Sequence, residues 1–217
     1  MRAELAMARE LADLDSLTGL LNQRSFHELL GHEVARAHRY KRRLALIIVD
    51  VDNFKSINDD IGHLEGNAVL NEVAGRVRTA VRAADIACRI GGDEFAVILP
   101  ETGSASARLV ADRLFDALSK PTGEGVSVSI GVGTLDDSDP TSKRLFRDAD
   151  SALYRAKAGG RARVASFLDP PASGSEHGGQ SETTSAEAEA DNKRLQENIR
   201  RANNATASTF ALDTPES

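Results

Sequence analysis

The sequence predicts a domain of the α/β (α+β) class, a mixed central sheet flanked by helices, on three observations. Segments of helical period alternate with short β-rich runs along residues 15–168. Two of those runs, Ile86 to Ile90 and Phe95 to Leu99, are joined only by Gly91-Gly92-Asp93-Glu94 and read as an antiparallel hairpin. A further run, Val126 to Val132, alternates as a half-buried strand does. A tight hairpin inside an alternating pattern makes the sheet mixed, with helices on its faces.

Each element has its own justification. Residues 1–14 carry Leu5, Ala8, Leu11, Ala12 and Leu14 on a helical stripe without glycine or proline, a short lead-in helix. Turn and cap residues from Asp15 to Asn22 precede a helix over Gln23 to Arg39, where Phe26, Leu29, Leu30 and Val34 recur with helical spacing. The basic cluster Arg39, Lys41, Arg42 and Arg43 leads into the first strand, Leu44 to Val51. A helix from about Ala68 to Arg82 follows, with Val69, Leu70, Val73 and Val77 on one face, and then the hairpin, closed by Pro100. Ser104 to Ser119 is an amphipathic helix, and Ser142 to Ala158 another, with Leu145, Phe146, Ala149, Leu153 and Tyr154 inward. A last strand is expected near Val164 to Phe167. From residue 169 onward Pro, Ser, Gly, Glu and Thr predominate, which predicts a disordered tail, 169–217, with a short isolated helix near 192–203.

Composition narrows the function classes. A chain of 217 residues holds one core plus a tail, and a net charge of −6 argues against a general nucleic-acid surface while leaving local basic clusters able to meet a polyanion. The single cysteine, Cys88, excludes an internal disulfide and fits a reducing compartment, with a buried apolar role as its simplest reading. Neither a long apolar span nor a secretory leader is visible, so the cytoplasm is the expected location. A Walker loop and a dinucleotide fingerprint are also missing, so phosphate must be held some other way.

Carboxylates mark the candidate chemistry. Asp50 ends an apolar strand, where an unpaired charge is expensive, and Asp52 lies two residues on, sharing its face. A cation beside Asp50 resolves that cost; the alternative is that one of the pair caps the following helix. Asp93 and Glu94 at the hairpin tip are either turn residues or hard-oxygen metal ligands beside backbone slim enough for phosphate. Lys55 and Asn58 share a face of a short helix beyond Asp50, suited to phosphate and base, or to plain solvation. His63 has no second histidine or cysteine at ligand spacing, which favours a hydrogen-bonding structural role. Lys157 and Arg161 stand four apart at a helix end, where cations also complement the dipole. Arg82 and Asp85 read as a local ion pair.

Taken together, Asp15-x-Leu17-Thr18-Gly19-Leu20-x-Asn22, the run Asp50 to Gly66, Arg89-Ile90-Gly91-Gly92-Asp93-Glu94-Phe95, Ser129-Ile130-Gly131-Val132 and Ala149-Asp150-x-Ala152-Leu153-Tyr154-x-Ala156-Lys157 closely resemble the GGDEF family of bacterial diguanylate cyclases. The resemblance covers about Asp13 to Phe167 and implies a fold similar to nucleotide-cyclase and polymerase palms. It further implies condensation of two GTP molecules into cyclic di-GMP, with release of pyrophosphate, across a homodimer in which each subunit holds one GTP. By position, Asp50 and Asp93, assisted by the Val51 carbonyl, resemble the ligands of magnesium, with manganese as its substitute. Asp93, Glu94 and Lys55 match catalytic positions; Lys55, Lys157 and Arg161 match phosphate contacts. Asn58 and Asn67 match guanine readers, with His63 beside them. Arg82 and Asp85 fall where the family carries an inhibitory product site, and Arg36 matches a position completing it from another subunit.

Two departures stand out. Asn67 replaces the aspartate usual at its position and keeps one acceptor without the charge, and the stretch Lys120 to Gly125 is short for the extra strand many members carry. The alternatives to an active enzyme are a catalytically silent module sensing GTP or cyclic di-GMP, and a purine cyclase of relaxed base selectivity.

Overall fold

The computed structural model describes residues 12–119 and 126–169, all within the compact unit Met1–Ala172. The lead-in helix before residue 12, the stretch Lys120 to Gly125 and the tail with its short helix lie outside the described residues. The order of elements is α1 (Gln23–Tyr40), β1 (Leu44–Val51), α2 (Phe54–Ile61), α3 (His63–Ala80), β2 (Ile86–Arg89), β3 (Glu94–Pro100), α4 (Ser104–Leu118), β4 (Val128–Thr134), α5 (Ser142–Ala158) and β5 (Val164–Ser166). The five strands form one sheet in the order β2-β3-β1-β4-β5. Its β4–β5 pair is parallel and the others are antiparallel, the mixed sheet expected. Among the described residues no helix is long and apolar enough to cross a membrane.

β1 is the central strand and is buried along its whole length, because both edges are paired and both faces covered. Its period of two separates two cores. Ala45, Ile47, Val49 and Val51 join Leu70, Val73 and Val77 of α3 and Val110, Ala111 and Leu114 of α4. Leu44, Leu46 and Ile48 join Phe26, Leu30 and Val34 of α1 and Leu145, Ala149 and Leu153 of α5. The helix α5 comes close because β4 offers no side chain at Gly131, where a Cβ would collide with the Ala149 carbonyl and the Leu153 backbone. By parity Asp50 belongs to the α1/α5 face.

The structure moves some boundaries. α3 begins at His63 rather than near Ala68: Gly62, at φ 94°, separates it sharply from α2, and Gly66, a weak helix former, is kept inside it by the packing described below. β3 takes in Glu94, which pairs with Asp50 across the ladder, and β4 starts at Val128.

Candidate functional site

The ends of β1 and β3 are tied together by a hydrogen bond from the Val51 amide to the Asp93 carbonyl, 3.1 Å, and by the register that sets Asp50 opposite Glu94. Asp50, Asp93 and Glu94 thus lie at one corner of the sheet. Asp50 is 3% exposed, and its Oδ2 accepts a hydrogen bond from Lys157 Nζ at 3.0 Å, a lysine in the last turn of α5. Burial pushes the Asp50 carboxyl up to about 8; Lys157 pulls against that shift, while Asp93 and Glu94 add to it. The cost of burying Asp50 thus exceeds what its lysine returns. Asp93 is also buried, and its Oδ1 accepts no hydrogen bond.

The two glycines of the hairpin have different reasons. Neither has a positive φ, so the turn itself does not require them. At Gly91 a Cβ would strike the Glu94 carboxylate, so glycine lets that acid fold back under the tip. At Gly92 a Cβ would meet nothing within 4 Å, and the bare backbone faces open space in which an incoming group can approach.

Asp52 corrects the expectation that one of the two β1 acids caps a helix. The N-cap of α2 is Asn53, which makes no side-chain cap bond. Asp52 instead accepts bonds from Ser127 Oγ (2.8 Å), Ser129 Oγ (2.7 Å) and the Ala162 amide (3.1 Å). It fastens the end of β1 to the start of β4 and to the turn after α5 that carries Arg161, which sits at φ 59° just past the helix.

Other predicted residues fall into two groups. Lys55 is exposed in the first turn of α2, and Asn58, half-buried on the same helix, presses its carboxamide onto Gly66 of α3, where a Cβ would overlap it. Asn67, the next residue of α3, is exposed, so the two asparagines come from facing helices at one place. His63 is exposed at the first position of α3, and its side chain makes no hydrogen bond among the described residues, contrary to the structural role expected of it. Arg82 and Asp85 form a turn rather than the expected ion pair: Asp85 Oδ2 accepts from the Arg82 amide at 2.9 Å and leaves the guanidinium facing solvent. Arg36 is paired with Glu33 at 3.1 Å and Glu101 at 3.7 Å.

Among the described residues no three His, Cys, Asp or Glu side chains converge to hold an ion by themselves. The donors that fit one are Asp50 and Asp93, hard carboxylate oxygens, of which Asp93 Oδ1 is buried and accepts no hydrogen bond. That incomplete set suits magnesium, which takes one or two carboxylates and completes its shell with water and phosphate.

The candidate site is thus an acidic corner at the end of a mixed sheet, with Lys157 drawn against Asp50. Residues 12–163 match the family model of the diguanylate cyclase GGDEF domain, and the chain belongs to that family. It is 42% identical over 161 residues to the diguanylate cyclase DgcP of Pseudomonas aeruginosa, covering 72% of this chain and 24% of DgcP. Against the diguanylate cyclase DgcS of Shewanella oneidensis it is 39% identical over 153 residues, covering 69% of this chain and 51% of DgcS. The chain thus spans about a quarter to a half of the length of these two relatives. The crystal structure of the GGDEF domain of DgcB from Caulobacter crescentus, in complex with c-di-GMP, superposes with a TM-score of 0.69 at 29% identity, covering 73% of this chain and 94% of that one.

Proposed function

We propose that this domain is a diguanylate cyclase, condensing two GTP molecules into cyclic di-GMP and pyrophosphate across a homodimer in the cytoplasm. The observation that carries the reading is the corner itself: Asp50, Asp93 and Glu94 brought to one strand end, with Lys157 against Asp50 at 3.0 Å. Kinship with DgcP and DgcS supports the same activity.

In this reading Asp50, Asp93 and the Val51 carbonyl hold magnesium, or manganese in its stead. The ion, when bound, supplies the charge that stabilises the reacting α-phosphate and the leaving pyrophosphate. Lys55, Lys157 and Arg161 meet the phosphates, and Lys157 reaches them from its position beside Asp50. Asn58, packed against Gly66, and Asn67, the next residue of α3, read the guanine edge, with His63 at the rim. Asp93 takes part in removing the ribose 3′-hydroxyl proton, with Glu94 as a second acid. A second subunit supplies the facing nucleotide, and alignment of each hydroxyl with the other phosphate is the largest contribution the protein makes.

The deciding assay supplies purified protein with magnesium and GTP, ATP or both, and identifies the dinucleotides by mass. Cyclic di-GMP from GTP, lost in Asp93→Ala, is expected; tight GTP binding without product would leave a silent nucleotide-sensing module. Asn67 favours one further reading, relaxed base selectivity, which would show as a mixed guanine–adenine dinucleotide. Feedback by the product at Arg82, Asp85 and a second subunit's Arg36 belongs to the same proposal. The exposed Arg82 guanidinium is available for it, and unchanged inhibition in Arg82→Ala would remove it.

A further inference from the structure

The segment Asp15-Ser16-Leu17-Thr18-Gly19 takes no part in the chemistry proposed above, yet one arginine ties it to the tip that carries Asp93. Arg89, the last residue of β2, donates from Nη1 to both oxygens of Asp15, at 3.1 and 3.3 Å, and from Nη2 to the Gly92 carbonyl at 2.6 Å. Its side chain is only 13% exposed. Asp15 is fixed from its own side by the Thr18 amide at 2.9 Å and the Thr18 hydroxyl at 2.6 Å. The loop is closed by the Asp15 amide on the Leu20 carbonyl, 2.7 Å, and anchored by Arg78 of α3 on the Thr18 carbonyl, 3.0 Å. Upstream, the Asp13 carbonyl accepts from the Asn22 amide and from Ser25 Oγ, which pins the entering chain to the start of α1. Burial works to raise the Asp15 carboxyl, but the bonds from Thr18 and Arg89 outweigh it and hold Asp15 below the usual carboxylate range.

At the other end the Asp93 and Glu94 carbonyls are held by the Val51 and Ile90 amides, at 3.1 and 2.9 Å, and the two glycines before them are the loosely held part. Two successive glycines have more backbone freedom than any other pair, and around Gly92 nothing lies where a Cβ would pack. Within the hairpin the Gly91 amide reaches the Glu94 carbonyl at a long 3.3 Å, whereas the bond from Arg89 to the Gly92 carbonyl is short and charge-assisted.

We propose that Asp15 and Arg89 are positioning residues of the site: the 15–19 loop fixes the guanidinium, which holds the Gly92 carbonyl and with it the turn that delivers Asp93 to Asp50. The planar fork is what permits this, because one group must serve a carboxylate and a carbonyl at once, and lysine has no such geometry. Residues 12–14 are bonded into the same loop, which also meets β2 through the Arg89 amide on the Leu21 carbonyl, 2.8 Å, so a displacement of the entering chain reaches the tip by way of Arg89. The effect on turnover rests on the cyclase reading; the effect on the tip does not.

The test measures hydrogen exchange of the backbone amides over residues 90–95 alongside steady-state kinetics with magnesium and GTP, in the full chain. Arg89→Met and Asp15→Asn should each speed exchange at the tip by about tenfold while the rest of β1 and β3 stays protected. Each should also lower kcat about tenfold with KM for GTP held within about twofold. The double variant should be no worse than Arg89→Met, since both residues act through one carbonyl. Arg89→Lys, which keeps the charge and loses the fork, should stay fast-exchanging. Wild-type exchange at the tip in Arg89→Met, full rescue by Arg89→Lys, or additive losses in the double variant would each overturn the proposal. Should Arg89→Met fail to fold, Asp15→Asn decides on the same readouts. A wild-type protein that makes no product refutes the cyclase reading, while the exchange data still decide the role of Arg89.

Discussion

Asp50 and Asp52 lie two residues apart, on the same face and equally buried at 3% exposure, yet their surroundings are opposite. Asp52 is saturated, with two serine hydroxyls and a backbone amide on its carboxylate. Asp50 has a lysine on one oxygen and two further carboxylates bearing on it. Depth of burial therefore does not by itself set a carboxylate's surroundings; the donors and like charges brought to it do. A carboxylate with its hydrogen bonds complete is a structural fastener. One whose burial costs more than its lysine returns, beside other acids, is a place for a cation.

The contrast can be broken by substitution, and the largest effect should come from Asp50→Ala. It removes a proposed metal ligand, so cyclic di-GMP formation should fall by about a thousandfold or more, with the fold retained by circular dichroism. Retention of even a tenth of the activity would mean that Asp50 is not a ligand. Asp52→Ala should do the reverse, costing about 2–3 kcal/mol of stability in a denaturant melt by leaving two hydroxyls and an amide unpaired. A loss under about 0.5 kcal/mol would show that these bonds are replaced by water.

A pH series sharpens the same comparison. Burial pushes the folded Asp50 carboxyl up to about 8, above the 3.8 of the unfolded chain, so the folded state binds a proton more tightly than the unfolded one. Its stabilising contribution is complete below about pH 4 and is lost as pH rises toward and through about 8. In metal-free buffer the stability of Asp50→Asn relative to wild type should therefore increase from pH 4.5 to 8 and level off above that. A difference independent of pH would mean the carboxyl is not raised. The smallest effect concerns the base: Asn67→Asp restores a charged acceptor and should raise the preference for GTP over ATP by about fivefold, on the order of 1 kcal/mol. Equal preference before and after would dissociate Asn67 from base reading.

Much of this molecule was legible in one dimension. β1 and α5 were predicted with the bounds observed, because an apolar run ending in an acid and a clean helical stripe are local signals. The Gly91–Gly92 turn and its two acids were legible for the same reason. α3 was read short at its start because Gly62 and Gly66 look like loop residues, whereas Gly66 is helical and accommodates Asn58. The role of Asp52 was misread because its partners lie 75, 77 and 110 residues away, beyond any local pattern. Arg89 and Asp15, 74 residues apart, stood in two recognised motifs with nothing in their spacing to join them.

The sequence by itself determined the element types, the acidic strand ends and the family, since period, turn chemistry and motif order are properties of neighbouring residues. Tertiary structure decided which acid is satisfied and which is not, which cation faces Asp50, and what holds the hairpin tip. Those outcomes depend on donors and charges brought together from distant segments, and hydrogen bonding and Coulomb energy act through space whatever the separation along the chain.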